Sequence, residues 1–308
     1  MAPKRARASR TRGFWGTADN LTGRYPEAVA TAPYAAEREL VILPPRRWEG
    51  FALGELWAYR ELLYFLTKRE LQVRYKQSIF GVAWAVLQPV ALAFLFALFF
   101  GRLAKVPSDG VPYPAFALAG LAPWIFVSQG STQAASSLIG DANLLSKVYF
   151  PRLLIPTAKI LSLLVDLTIA LVVAAGAVVL YGLGVRWQWL VTPLFLVLAL
   201  VTAMGVGILL APLNVKYRDV TVAVPLIAQL WLFATPVVYP GTLITGSWQY
   251  VYALNPMVSV IQGTRWALLG TAGPSAAELA ISTLSALGLL LTALTYFRRT
   301  ERTFADII

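Results

Sequence analysis

The sequence predicts an all-α integral membrane protein. It would have six transmembrane helices, an N-terminal amphipathic interfacial helix, and an outer re-entrant helical hairpin between spans 5 and 6. Three observations predict it. Of 308 residues, 58% are hydrophobic and only 13% charged, against about 25% charged in a soluble domain. That much apolar surface needs lipid as part of its solvent. Uncharged runs of about 20 residues, long enough to cross a bilayer, recur along the chain. Basic residues gather on alternate connections, as they do on the cytoplasmic side of membrane proteins.

The elements follow in order. Residues 1–50 begin "MAPKRARASRTR", with five Arg or Lys in twelve residues. No apolar core follows that basic start, so it does not read as a secretory signal. It reads as a disordered cytoplasmic tail rather than a nucleic-acid arm. Residues 51–77 are rich in Leu, Glu, Arg and Lys and lack proline, which favours helix. Their aromatic and basic residues suit a helix lying in the bilayer interface. A soluble helical arm is the alternative. The apolar spans are 79–101, 114–139, 153–181, 189–213, 220–239 and 278–297. Between the last two, residues 240–274 are apolar but broken by Gly and Pro into pieces too short to cross. Such pieces survive at membrane depth only under a cover of protein or beside a water-filled cavity. The expectation is therefore a re-entrant hairpin, with two further spans as the alternative. Residues 301–308 form a short C-terminal tail.

Charge sets the orientation. Lys68, Arg69, Arg74, Lys76, Lys147, Arg152, Arg298 and Arg299 fall on predicted inner segments. Only Arg102, Lys105, Arg186 and Arg265 fall on outer ones. Both termini are expected in the cytoplasm, in an inner membrane.

Composition also excludes chemistry. The chain has no Cys and no His, so the usual zinc sites, thiol catalysis and imidazole acid–base chemistry are absent. No glycine is followed by lysine, so there is no loop of the GxxxxGK[ST] kind to cradle ATP phosphates. The acidic residues between 79 and 297 are Asp109, Asp141, Asp166, Asp219 and Glu278, and none forms a pair in sequence. A membrane-embedded glycosyltransferase is therefore a weak reading. No catalytic residue and no metal ligand is assigned.

One inner segment is unusual. "GDANLLSKVYFPRLLIP", residues 140–156, is bounded by Pro151 and Pro156. Leu144, Leu145 and Val148 fall on one helical face, while Asp141, Asn143 and Lys147 offer polar contacts. So short a helix is marginal alone in water and gains by lying in a partner's groove. A plain connecting loop is the alternative.

"RYKQSIFGVAWAVLQP" followed by "ANLLSKVYFPRLLIP" closely resembles the permease subunits of ABC-2 type exporters of the polysaccharide and teichoic-acid kind. "NVKYRDV", residues 214–220, is similar to that family's loop after the fourth span. The resemblance covers roughly residues 50–300, and the basic tail departs from it. It implies a homodimeric pore above two ABC ATPase subunits, which hold the ATP and Mg; this chain holds no cofactor. Residues 141–150 would be the coupling helix, with Asp141, Asn143, Leu144, Leu145, Lys147, Val148, Tyr149 and Phe150 meeting the ATPase. The interfacial helix, through Arg69, Arg74, Tyr75 and Lys76, would make a second contact with the ATPase or with lipid headgroups. The cargo would be a polyprenyl-diphosphate-linked glycan, O-antigen-like or another cell-surface polymer. A teichoic-acid exporter, or a drug or lipid exporter, is the alternative. The partners are thus ATPase, glycan and membrane lipids, with no nucleic acid.

Within that frame Arg69, Arg74 and Lys76 could attract a diphosphate or anionic headgroups. Trp84, Gln88, Phe126 and Trp231 are candidate pore or substrate contacts, against lipid contact or helix packing for each. Gln88 in particular has an interhelical hydrogen bond as its rival. Asp166 lies inside a span, where a carboxylate is costly. Lys159 falls two turns earlier on the same face, and a bond to a neighbouring helix competes with a pore role. Arg218 and Asp219 would form an inner gate, an ATPase contact or a solvated turn.

Overall fold

The computed structural model describes residues 56–76, 81, 83–145, 150–217 and 219–301. The predicted tail 1–50 lies outside them, as do 51–55, 77–80, 82, 146–149, Arg218 and 302–308. The described residues all fall in the unit Gly50–Ile308. Their regular elements are all helices, with no strand among them.

Helix α1, Arg60–Tyr75, falls within residues 51–77, the segment expected to lie in the interface. Helix α2, Ala83–Phe96, runs on through a π-helical stretch, Ala97–Leu103. The first span therefore extends past Gly101, where the sequence reading ended it. Helix α3, Tyr113–Gly140, is 28 residues long, about 42 Å at 1.5 Å per residue. A four-residue helix α4, Ala142–Leu145, follows. The expected third span, 153–181, is two helices, α5 (Leu154–Ser162) and α6 (Leu164–Leu180), joined at Leu163. The Ser162 hydroxyl donates to the Lys159 carbonyl at 2.7 Å, a backbone-directed bond of the kind that bends helices. A 3₁₀ turn, Trp187–Val191, leads into α7, Thr192–Lys216.

Helix α8 ends early. It spans Val220–Phe233 rather than 220–239, about 21 Å of rise against about 30 Å of hydrocarbon. The cause is Thr235 followed by Pro236, because a residue before proline is pushed out of the helical region. Beyond come a 3₁₀ turn, Gly241–Leu243, the short α9, Trp248–Tyr252, and α10, Pro256–Leu269. The last is well delimited. Asn255 caps it by accepting from Met257 N at 3.1 Å, Pro256 begins it, and Gly270 ends it at φ 72°. A side chain at Gly270 would collide with the Arg186 guanidinium. Helix α11, Ala276–Glu301, completes the described chain.

Among the described residues four helices suit a membrane crossing by length and composition: Ala83–Leu103, Leu154–Leu180, Trp187–Lys216 and Ala276–Glu301; α8 is a shorter apolar helix. Helix α3 is the hub, packed against α2, α5, α6, α7, α8 and α10. Its residues from Tyr113 to Val127 are almost all buried in the larger core. A second core gathers Leu66, Leu138, Phe150, Leu154, Ile208 and Phe297.

Arg265, expected on an outer segment, is 2% exposed. Its Nε donates to Phe116 O at 3.1 Å, and its Nη atoms donate to Pro236 O and Val237 O at 2.6 Å and to Tyr239 O at 3.3 Å. The guanidinium lies 3.4 Å from the centre of the Phe116 ring. It therefore satisfies the carbonyls that the premature end of α8 leaves without helical partners. Gly120 makes room for it, since a Cβ there would sit 2.6 Å from Nη2.

Candidate functional site

The chemistry-bearing side chains concentrate where α1 meets α3, α5 and α6. The α1 helix packs along α5, and its polar side turns inward. Arg69 Nη2 lies 2.8 Å from Glu70 Oε1 and 2.5 Å from Asp141 Oδ1. Lys159 Nζ lies 2.6 Å from Glu70 Oε2 and 3.5 Å from Asp141 Oδ2. Two cations and two anions close a ring joining α1, the α3–α4 turn and α5. Both carboxylates are largely covered, at 11% and 14% exposed. Burial opposes the Arg69 charge, but the hydrogen bonds and charges of Glu70 and Asp141 outweigh it and raise its pKa.

One turn further along α1, Arg74 pairs with Asp166 of α6. It also donates to Gln133 Oε1 at 2.8 Å and to Ser162 Oγ at 3.3 Å. The Tyr75 hydroxyl donates to the other Asp166 oxygen. Arg74, Tyr75 and Asp166 form the polar end of a cavity of about 270 Å³ between α1, α2, α3 and α6. Trp84, Gln88 and Pro89 from α2, Phe126 and Gln129 from α3, and Leu167 from α6 continue its wall. The cavity is thus polar at one end and apolar along its length.

It brings together Arg74, Tyr75, Trp84, Gln88 and Phe126, which the sequence reading divides between two roles. Gln88 accepts a hydrogen bond from Gln129 at 3.1 Å, the rival weighed for it. Trp84 is 53% exposed and Phe126 1%. Trp231 lies elsewhere: it donates to Asn255 Oδ1 at 3.2 Å and packs edge-on against Trp124. Asp166 finds its cation on α1, not at Lys159, because the break at Leu163 separates the two residues into different helices. Arg69 and Arg74 are committed to carboxylates, so of the basic trio only Lys76 stands exposed without an ion pair among the described residues. The sequence reading missed Glu70, Gln129 and Gln133. The run of alternating charge in α1 is the one signal that could have pointed to Glu70.

The expected coupling helix, 141–150, is helical over Ala142–Leu145. Asp141 belongs to the ionic ring, Asn143 is exposed, and Leu144 packs against the second core. The side chain of Leu145 is not among those described, and Lys147, Val148 and Tyr149 lie outside the described residues. Phe150 is 6% exposed within the second core. Arg218 lies outside the described residues; exposed Asp219 starts α8, its carbonyl accepting from Ala223 N at 2.9 Å.

Comparison with known proteins places this arrangement. A family model described as ABC-2 type transporter matches residues 61–269. The chain is 31% identical over 257 residues to the O-antigen export system permease protein RfbA of Myxococcus xanthus, covering 82% of this chain and 98% of that protein. It is 28% identical over 262 residues to a protein of the same name from Klebsiella pneumoniae, covering 84% and 98%. To the polysialic acid transport protein KpsM of Escherichia coli it is 23% identical over 204 residues, covering 65% and 78%. The family match begins near the start of α1, takes in the ionic ring and runs to the end of α10, so the chain belongs to the ABC-2 type transporter family.

Proposed function

We propose that this chain is the membrane subunit of an exporter that moves a lipid-linked cell-surface polysaccharide out of the cytoplasm, driven by ATP hydrolysis on a separate subunit. Two copies form the conduit, and two ATPase subunits carrying ATP and Mg lie beneath them. Both termini face the cytoplasm, the chain crosses the bacterial inner membrane six times, and residues 240–274 re-enter from the outside. The names of the relatives support the cargo class. The exposed apolar faces of α2 and α8 support a second copy or lipid beside them.

The observation that carries the coupling is the ring Arg69–Asp141–Lys159–Glu70. An ATPase that displaces the inner segment after α3 pulls on Asp141, and Asp141 is tied to α1. The interfacial helix then moves with the coupling segment, and Arg74 carries that motion to Asp166 at the mouth of the 270 Å³ cavity. The test is co-purification of the chain with its ATPase from cells, together with surface-polymer export. Leu144→Asp is expected to weaken capture of the ATPase, whereas Arg69→Met is expected to leave it bound and abolish export. Normal export by Arg69→Met refutes the lever.

A further inference from the structure

The side of α3 turned toward α8 differs from its other sides. Ser128, Gln129, Thr132 and Gln133 follow at spacings of one, three and one, which puts them on one side of the helix. With Trp124 of α3 and Gln229 of α8 they line a second cavity, of about 340 Å³. Gln129 separates the two cavities and faces both. Across the groove Gln229 is exposed between Ile227 and Leu230, themselves 58% and 65% exposed. Its amide has no hydrogen-bond partner among the described residues. An amide at membrane depth is costly unless it meets water or another polar group. The groove is thus built for a polar occupant. It is also uncharged: no Asp, Glu, Lys or Arg lines it, and none occurs within α3 or α8. Along α2 and its π-helical end the first charge is Arg102.

We infer that the α3–α8 groove is the sugar-contacting wall of the conduit, and that the polymer it passes is a neutral, hydroxyl-rich chain rather than an anionic one. The inference rests on the export reading above and names the chemical class of its cargo. Amides and hydroxyls both donate and accept, so they exchange hydrogen bonds with successive sugar hydroxyls without holding any one. A polymer of phosphates or carboxylates would bring an unpaired charge at every repeat past a lining without cations, the Arg74 behind Gln133 being already paired with Asp166. Pores for anions and phosphates carry rings of Arg or Lys, which this groove lacks. The teichoic-acid alternative is disfavoured on the same ground.

The test depletes the chain in the cells that carry it. The polymer that disappears from the surface is then characterised by anion exchange and sugar analysis. Loss of a neutral glycan is expected. Loss of an anionic polymer overturns the inference and leaves the export reading standing, whereas no missing polymer overturns the export reading itself. In parallel, Gln229→Ala and Thr132→Val are expected to lower neutral-polymer export by about fivefold, the scale of one lost hydrogen bond, with protein yield and ATPase co-purification unchanged. Wild-type export by both variants, or dissociation of the complex by Gln229→Ala, overturns the assignment of this wall.

Discussion

Replacing Arg265 with methionine tests how the outer end of α8 is held. Methionine keeps most of the length and apolar stem but donates nothing. Three backbone carbonyls, those of Phe116, Pro236 and Val237, then lose donors that stand 2.6–3.1 Å away. Each buried acceptor left unpaired costs about 1–3 kcal/mol. Removing a buried charge relieves part of its desolvation, so the net loss is set at the low end, roughly 2–5 kcal/mol. For a chain of this size that is a fall in melting temperature of roughly 5–15 °C. The assay is thermal aggregation of purified protein in detergent, read by size exclusion. Amide hydrogen exchange would locate the change at residues 234–239. Arg265→Lys supplies a point charge in place of a planar fork and is expected to recover about half of the loss. Gly120→Val should reproduce the defect, since its side chain occupies the guanidinium's space. A melting temperature for Arg265→Met within about 2 °C of wild type would refute the claim that this side chain caps the broken helix.

Other outcomes follow from the same geometry. In a cycle of Arg69→Met and Asp141→Asn, the double variant is expected to export no worse than the more impaired single one, because both act through one ring; additive losses in surface polymer would show independent roles. Asp166→Asn leaves the Arg74 guanidinium without its counter-charge and is expected to reduce export more than tenfold, with partial recovery in Asp166→Glu; equal activity in all three proteins would dismiss the pair. Asn255→Ala removes bonds to Met257 N, Trp231 Nε1, Ala234 O and Thr235 Oγ1. It is expected to cost about 2–4 kcal/mol, read as a lower detergent melting temperature, and an unchanged melting temperature would count against the cap.

The helical class and the helices of four of the six expected spans were legible because an uncharged run of 20 residues has few alternatives. Their ends were less so. Pro236 stops α8 six residues before the apolar run does, and composition alone does not register a single proline. The pairing of charges was the least readable. Lys159 and Asp166 share a helical face only if the helix between them is continuous, and the break at Leu163 sends them to Glu70 and Arg74 instead. Arg265 looked like one more outer cation because charge counting is blind to burial. Gln88 and Gln129, 41 residues apart, carry no signal in sequence that they meet.

The cluster around α1 has an electrical consequence. Arg69, Arg74 and Lys159 face Glu70, Asp141 and Asp166, three charges of each sign. A single charge displaced across the whole membrane couples to the transmembrane voltage by about 2.3 kcal/mol per 100 mV. A cluster that moves with its counter-charges displaces none. The ion-paired cluster therefore adds no gating charge to the stroke proposed for α1. Export reconstituted in vesicles should run at the same rate whether the membrane is polarised or not.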